Sequence, residues 1–297
     1  MPDLQLALAS LLDCELEIVR SNAGSGGCIS DARCVRVRKH DSGETRELFV
    51  KSNDASFVEN FQAESHGLKQ LADANAIRVP SAIKVGVFER QAWLIMQWIN
   101  EGHRPPDFFD RFAIGLAGLH RNTIGIETGL DHDNFLGSAP QPNGPIESWP
   151  EFFAERRLRF QIGWASNQGL ADAELVEDVE RIIVGLPELL EGRDDATSLL
   201  HGDLWSGNYL CDDRGDAVLI DPAVYRGCRE AEFGMLKLFG GCPARFYEVY
   251  QDAFPMPGGW QRRVNVYVLY HLLNHLNLFG RGYHGQCSSL AAKILRT

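Results

Sequence analysis

Asp203 and Asn208 stand five residues apart in the stretch L-L-H-G-D-L-W-S-G-N at 199–208, and Asp221 follows at the end of the apolar run 217–220. An aspartate and an asparagine in the pattern H-x-D-x-x-x-x-N suit phosphoryl transfer. The carboxylate accepts the proton of an attacking hydroxyl, and the amide oxygen helps to hold a magnesium ion. A carboxylate ending a short buried strand can reach the same ion, and hard oxygen donors suit it. Asp203 is therefore the expected catalytic residue, with Asn208 and Asp221 as expected metal ligands. Taken as residues alone, the same stretch also reads as a capped turn leading into a hairpin, because Gly, Asp, Ser and Asn are common turn formers.

Transfer of a phosphoryl group also requires positive charge and backbone donors at the nucleotide. Lys51 follows the apolar run 48–50 of a strand pattern at 47–51, and Glu64 lies thirteen residues later within the helical pattern Phe57, Phe61, Leu68 and Leu71. A strand lysine aligned by a helix glutamate is the device that holds α- and β-phosphates in kinases; two solvated surface charges would look the same in sequence. Gly26, Gly27 and Cys28 fall in a turn between two strand patterns, where small residues let backbone N–H groups approach a triphosphate. Cys28, beside those amides, is also placed for a lowered thiol pKa. The adenine is expected against the backbone at Gln97, Trp98 and Ile99, just before the Gly/Pro-rich segment 100–106.

These residues need two kinds of scaffold. Period-two alternation predicts strands near 16–19, 34–38, 47–51, 83–88 and 92–98, with a short helix over 2–13 and a longer one through Glu64. Beyond residue 102 the periodicity turns helical, over 108–120, 151–168, 174–190, 229–239, 245–253 and 260–279. The expected architecture is α+β with two lobes, a nucleotide-binding lobe at 1–102 and a mainly helical catalytic lobe at 103–297. Residues 138–150, with Pro140, Pro142, Pro145 and Pro150, read as an irregular surface loop.

Composition narrows the partners. The chain has 29 Lys+Arg against 40 Asp+Glu, a net charge of −11, so no basic face for nucleic acid or anionic membrane is expected. Its most apolar segment, 264–279, is interrupted by Asn265, His271, Asn274, His275 and Asn277 and is too short and polar to span a bilayer. Seven cysteines without a C-x-x-C argue against a disulfide framework or zinc knuckle, and no basic-then-apolar leader is seen, so a reducing cytoplasm is expected. Trp205 either stacks on the apolar face of an acceptor or anchors its loop. His271, Asn274, His275 and Leu278 share one helical face, so Asn274 and His275 are expected to line the acceptor site, with satisfied core polar groups as the alternative. The glutamate of H-E-x-x-H is missing there, which argues against a metal pair.

With 199–208 and the C-terminal third in view, the sequence resembles the fructosamine kinase (ketosamine-3-kinase) family. D-P-A-V-Y at 221–225, R-E-A-E-F at 229–233, L-F-G-G at 238–241 and L-Y-H-L-L-N-H-L-N-L-F-G at 269–280 carry the likeness. G-G-C-I-S at 26–30, A-E-S-H-G-L at 63–68 and I-R-V-P at 77–80 extend it toward the N-terminus. Glu232 departs from the aspartate that many members carry. The resemblance implies a protein-kinase-like fold and ATP- and magnesium-dependent phosphorylation of the 3-hydroxyl of a ketosamine, free or protein-bound, in deglycation. Aminoglycoside, choline or homoserine kinases of the same fold are the alternative, followed by a non-catalytic pseudokinase binding module. The W-S-G-N and H-L-L-N-H pieces count against the first, and intact Lys51, Glu64, Asp203, Asn208 and Asp221 against the second.

Overall fold

The computed structural model describes residues 2–24 and 30–296 and divides into two compact units. The first comprises Met1–Phe108 and Leu210–Asp221, the second Phe109–Tyr209 and Pro222–Thr297. Set beside the expected boundary at 102/103, the division falls at 108/109, and the short stretch ending in Asp221 belongs with the first unit.

The first unit is built on one antiparallel sheet of β1 (Leu16–Ala23), β2 (Asp31–Lys39), β3 (Thr45–Asp54), β4 (Ala82–Phe88) and β5 (Gln91–Gln97), in the order β1-β2-β3-β5-β4. Alternation decides which side chains enter the core: Val35 and Val37 from β2 and Leu48 and Val50 from β3 pack with Trp93 and Ile95 against Leu4, Ala7 and Leu8 of α1 (Pro2–Leu12). Residues 92–96 of β5 are buried without alternation because a second helix, α2 (Val58–Asp73), also packs on this strand. Phe61, Leu68 and Leu71 form the buried stripe of α2, and Glu64 lies on that stripe, three residues after Phe61 and four before Leu68.

A two-stranded hairpin, Tyr209–Cys211 with Ala217–Leu219, completes this unit from Leu210 onward. Its turn is closed by Asp212, whose carboxylate accepts from the backbone N–H groups of Arg214 (2.9 Å) and Asp216 (2.8 Å). Arg78 pairs with the same carboxylate, and its carbonyl accepts from Leu219 N at 2.9 Å. The chain thereby delivers Asp221 to a defined place in the first unit.

The second unit is mainly helical. Its helices are α3 (Phe108–Asn122), α4 (Trp149–Phe153), α5 (Phe160–Asn167), α6 (Ala173–Leu189), α7 (Phe233–Phe239), α8 (Ala244–Ala253), α9 (Trp260–Phe279) and α10 (His284–Ile294). Nearly every residue of α9 from Arg263 to Asn277 is buried, so α9 is the central helix of the unit, with α5, α7 and α10 packed on it.

Three expectations are corrected here. The single helix over 151–168 is interrupted by π-helical turns at Ala154–Arg159, where Arg157 turns inward: it is 0% exposed, donates to Asn143 Oδ1 at 2.7 Å and stacks on Phe152 and Tyr225. The helix over 229–239 opens with a 3-10 turn, Arg229–Glu232. The proline-bearing segment 138–150 is no surface loop. Ala139–Gln141 pairs with Asn134–Leu136, and Gln141 and Asn143 are buried, because their amides bind Asn134 Oδ1 (2.7 Å each) and Gln141 also accepts from Tyr270 at 2.8 Å. α10 lies beyond the last helix read from periodicity. Among the described residues no helix is long and apolar enough to cross a membrane.

Candidate active site

In the first unit, Lys51 is 6% exposed at the inner side of β3. Its Nζ lies 2.7 Å from Glu64 Oε1 and 2.7 Å from Asp221 Oδ1. Burial works against the ammonium, yet the carboxylates of Asp221 and Glu64 outweigh it and hold the lysine charged, above its ordinary pKa. Glu64 shows the converse: burial pushes its carboxyl up to about 7 against the pull of Lys51, and the neighbouring Asp221 adds repulsion. One cation thus serves two carboxylates. Asp221 takes a positive φ of 55°, a turn conformation that aspartate tolerates and that aims its carboxylate at Lys51.

Glu64 and Asp221 line one end of a cavity. Its other walls are Phe49, Pro80, Met96, Gln97, Trp98, Ile99, Glu101, Leu210 and Ile220. A mainly apolar lining with carboxylates beside Lys51 suits a flat aromatic heterocycle with a charged tail. Of the three residues expected at the adenine, Gln97 has its N–H engaged by Ser81 O at 2.9 Å, and Trp98 is anchored through Nε1 to Asn100 Oδ1 at 2.9 Å. Ile99 is buried in the wall. Gly26, Gly27 and Cys28, the expected phosphate turn, lie outside the described residues.

In the second unit, Asn208 holds Asp203. The amide nitrogen of Asn208 donates to Asp203 Oδ2 at 2.9 Å and to Asp203 O at 2.8 Å. That leaves the amide oxygen of Asn208 as the end able to meet a cation, so the donor chemistry at this residue fits magnesium. The same holds for Asp221 in the first unit, a carboxylate whose Oδ1 meets Lys51 and which retains a second oxygen. His201 is fully buried; its Nδ1 accepts from Asp203 N (3.3 Å) and its carbonyl from Ala223 N (2.9 Å). It braces the loop from inside. Gly202 adopts φ 81°, and a Cβ there would lie 2.1 Å from Ala223 O, so only glycine fits.

The W-S-G-N ending has a packing explanation. The indole of Trp205 folds over Gly207, where a Cβ would meet it at 2.5 Å, and its ring lies 5.7 Å from that of Phe239. Gly241 of the L-F-G-G segment closes on Ser206 so tightly that a Cβ would stand 2.8 Å away, and Tyr209 donates its hydroxyl to Gly241 O. Trp205 keeps a half-exposed face. Of the other two residues expected at the acceptor, Asn274 is 2% exposed and accepts from Gln161 Nε2 at 3.1 Å. His275 is half-buried among Phe239, Phe279 and Tyr283, with Nδ1 2.8 Å from His271 O. Its neighbour His271 is held neutral, its pKa depressed by burial to about 3. Among the described residues no cluster of His, Cys, Asp and Glu could hold a metal by itself.

Sequence reasoning missed the residue on which this loop hangs. Glu232, noted there only as a departure, is fully buried and accepts from the backbone N–H groups of His201 (2.6 Å) and Gly202 (3.0 Å). His120 and Tyr250, which back it, carried no signal beyond their place on helical stripes.

A model of the fructosamine kinase family matches residues 3–297. A probable ketoamine kinase of Synechocystis is 39% identical over 92% of this chain and 89% of its own length. A chloroplastic protein-ribulosamine 3-kinase of rice (Oryza sativa subsp. japonica) is 38% identical over 91% of this chain and 77% of its own. A crystal structure of a candidate fructosamine-3-kinase from Haemophilus somnus superposes with a TM-score of 0.85, at 27% identity, covering 99% of this chain and 97% of the other. With a kinase-like fold, a lysine bridging two carboxylates at an apolar cavity and a family match across the chain, this protein belongs to the fructosamine kinase family.

Proposed function

We propose that this kinase uses ATP and magnesium to phosphorylate the 3-hydroxyl of a ketosamine, the adduct of a sugar with an amine, so that the adduct breaks down and frees the amine. The observation that carries the reading is the bridging of Glu64 and Asp221 by Lys51 at the polar end of an apolar cavity. The ketosamine acceptor is supported by family membership and by the names of the relatives above. The same findings count against an aminoglycoside, choline or homoserine acceptor.

The adenine occupies the apolar walls near Gln97, Trp98 and Ile99, and the triphosphate extends to Lys51, which contacts the α- and β-phosphates while Glu64 keeps the ammonium aligned. Asn208 and Asp221 would supply oxygen donors to magnesium, which would neutralise phosphate charge when bound. Asp203, held by the Asn208 amide, orients the acceptor hydroxyl for in-line attack and takes its proton late, since an aspartate is a weak base at neutral pH. Trp205, Asn274 and His275 border the acceptor. Whether the adduct is free or protein-bound, the reaction suits a cytoplasmic enzyme.

Asp203→Ala tests the assignment. Turnover with ATP, magnesium and a panel of N-fructosyl, N-ribulosyl and N-erythrulosyl amines is expected to fall by at least about a hundredfold with the fold intact by circular dichroism. Turnover near wild type in a folded variant overturns it, and ATP consumption that ignores the ketosamine overturns the acceptor class.

A further inference from the structure

We propose that His120 and Tyr250 are positioning residues for the phosphoryl-transfer loop, holding the Glu232 carboxylate in the orientation from which it captures the backbone N–H groups of His201 and Gly202. The proposal rests on Asp203 being the residue that aligns the acceptor hydroxyl, since His201 and Gly202 immediately precede it.

The argument is one of direction. Arg229 can only donate hydrogen bonds, and its Nη1 lies 3.3 Å from the Tyr250 hydroxyl. Arg229 is itself fixed, by Asp194 (2.8 Å) and by the carbonyl of Phe254 (2.7 Å). The Tyr250 oxygen therefore accepts from Arg229, and its proton turns to the remaining neighbour, His120 Nδ1 at 2.8 Å. With Nδ1 accepting, a neutral imidazole carries its proton on Nε2, which faces Glu232 Oε2 at 3.5 Å. At the far end an ionised carboxylate can only accept. The line Arg229–Tyr250–His120–Glu232 thus has a single consistent polarity, set by a group that only donates and one that only accepts.

Each member sits where this polarity matters. His120 and Glu232 are both fully buried, so no water competes for their hydrogen bonds. Burial keeps His120 below its ordinary pKa, in the neutral form the line requires. The carbonyl of His120 also accepts from Ser198 Oγ at 2.8 Å, so the strand leading into 199–208 is tied to the same residue. Reversing the imidazole would present a lone pair to the carboxylate and let Glu232 rotate off one of its two backbone donors. The loop would then lose its support just before Asp203, and displacements well below an ångström at an in-line geometry cost rate.

The experiment uses the full chain with ¹⁵N-histidine labelling. Multiple-bond ¹H–¹⁵N spectra at neutral pH, with His120 identified by its disappearance in His120→Gln, are expected to show the Nε2–H tautomer in the wild type and a mixture in Tyr250→Phe. An Nδ1–H tautomer or an imidazolium in the wild type overturns the proposal. Tyr250→Phe removes one oxygen without changing shape. Its kcat is expected to fall about three- to tenfold, with KM for ATP and for an N-ribulosyl amine held within about twofold. An unchanged kcat, or a loss that only tracks the unfolded fraction at the assay temperature, also overturns it. His120→Gln, which restores a donor to Glu232, is expected to retain more activity than His120→Ala; the reverse order counts against the line. If Asp203→Ala keeps its turnover, the catalytic reading fails, whereas the wrong tautomer alongside an inactive Asp203→Ala overturns the present proposal alone.

Discussion

Glu64 in the first unit is mostly buried and Glu232 in the second fully so, yet their carboxyls move in opposite directions. Burial alone would raise both. Glu64 shares the Lys51 ammonium with a second carboxylate, Asp221, and its pKa climbs to about 7. At Glu232, His120 and the His201 and Gly202 backbone donors hold the carboxyl below the ordinary range against burial. The difference lies in the partners: Glu64 shares one ammonium with Asp221, whereas Glu232 is met by an imidazole and two backbone N–H groups. Under the proposed function the two have different tasks: Glu64 aligns the lysine that meets the phosphates, while Glu232 supports the loop ending in Asp203.

The largest expected effect lies on the rigid side. Glu232→Ala orphans two backbone N–H groups, the His120 proton and the volume of a side chain, so urea unfolding is expected to lose on the order of 3–5 kcal/mol, with turnover abolished. A loss under about 1 kcal/mol would erase the contrast.

The next effect has the opposite sign. Because the folded pKa of Glu64 lies above its ordinary value near 4.5, the folded state holds a proton that the unfolded chain has released between that value and about 7. The stability from this group is full below the lower value and is lost as pH rises through the upper one. Glu64→Gln is therefore expected to be more stable than wild type at pH 8, by on the order of 1 kcal/mol given the residual exposure of the side chain, and equal to it near pH 5. Its kcat/KM for ATP should nevertheless drop, because Lys51 loses its alignment. A variant less stable than wild type at pH 8 breaks the comparison from this side. Glu232, depressed rather than raised, contributes stability above the ordinary carboxylate range that is lost on acidification through its folded value.

The smallest effect sharpens the baseline. Lys69 and Asp73 form an i, i+4 pair at 2.6 Å on the solvent face of α2, with side chains 73% and 64% exposed. Lys69→Ala should leave the melting midpoint within experimental scatter, because solvent screens such pairs. A shift comparable to that of Glu64→Gln would show that exposure is not what separates these carboxylates.

Much of the architecture was legible in local pattern. β2 and the first half of β3 alternate, α2 carries its stripe with Glu64 on it, and α3, α6 and α9 follow their periodicity. Where patterns misled, buried polar groups were responsible. Gln141, Asn143 and Arg157 read as surface residues in a proline-rich loop and a polar helix, but each is buried with partners distant in sequence. No local rule signals that an amide will find its partner 129 residues away.

By itself the sequence determined the chemistry: the spacing of Asp203 and Asn208, the pairing of Lys51 with Glu64 and the family to which these belong follow from residue types and local order. Only the tertiary structure decided what holds them. That Asp221 shares Lys51 with Glu64, that W-S-G-N closes on L-F-G-G, and that the loop hangs from Glu232 through His120 and Tyr250 depend on contacts between distant segments. The physical reason is that reactive groups are set by atoms present in the chain, whereas the hydrogen bonds that satisfy buried charges are settled only when burial removes water as a partner.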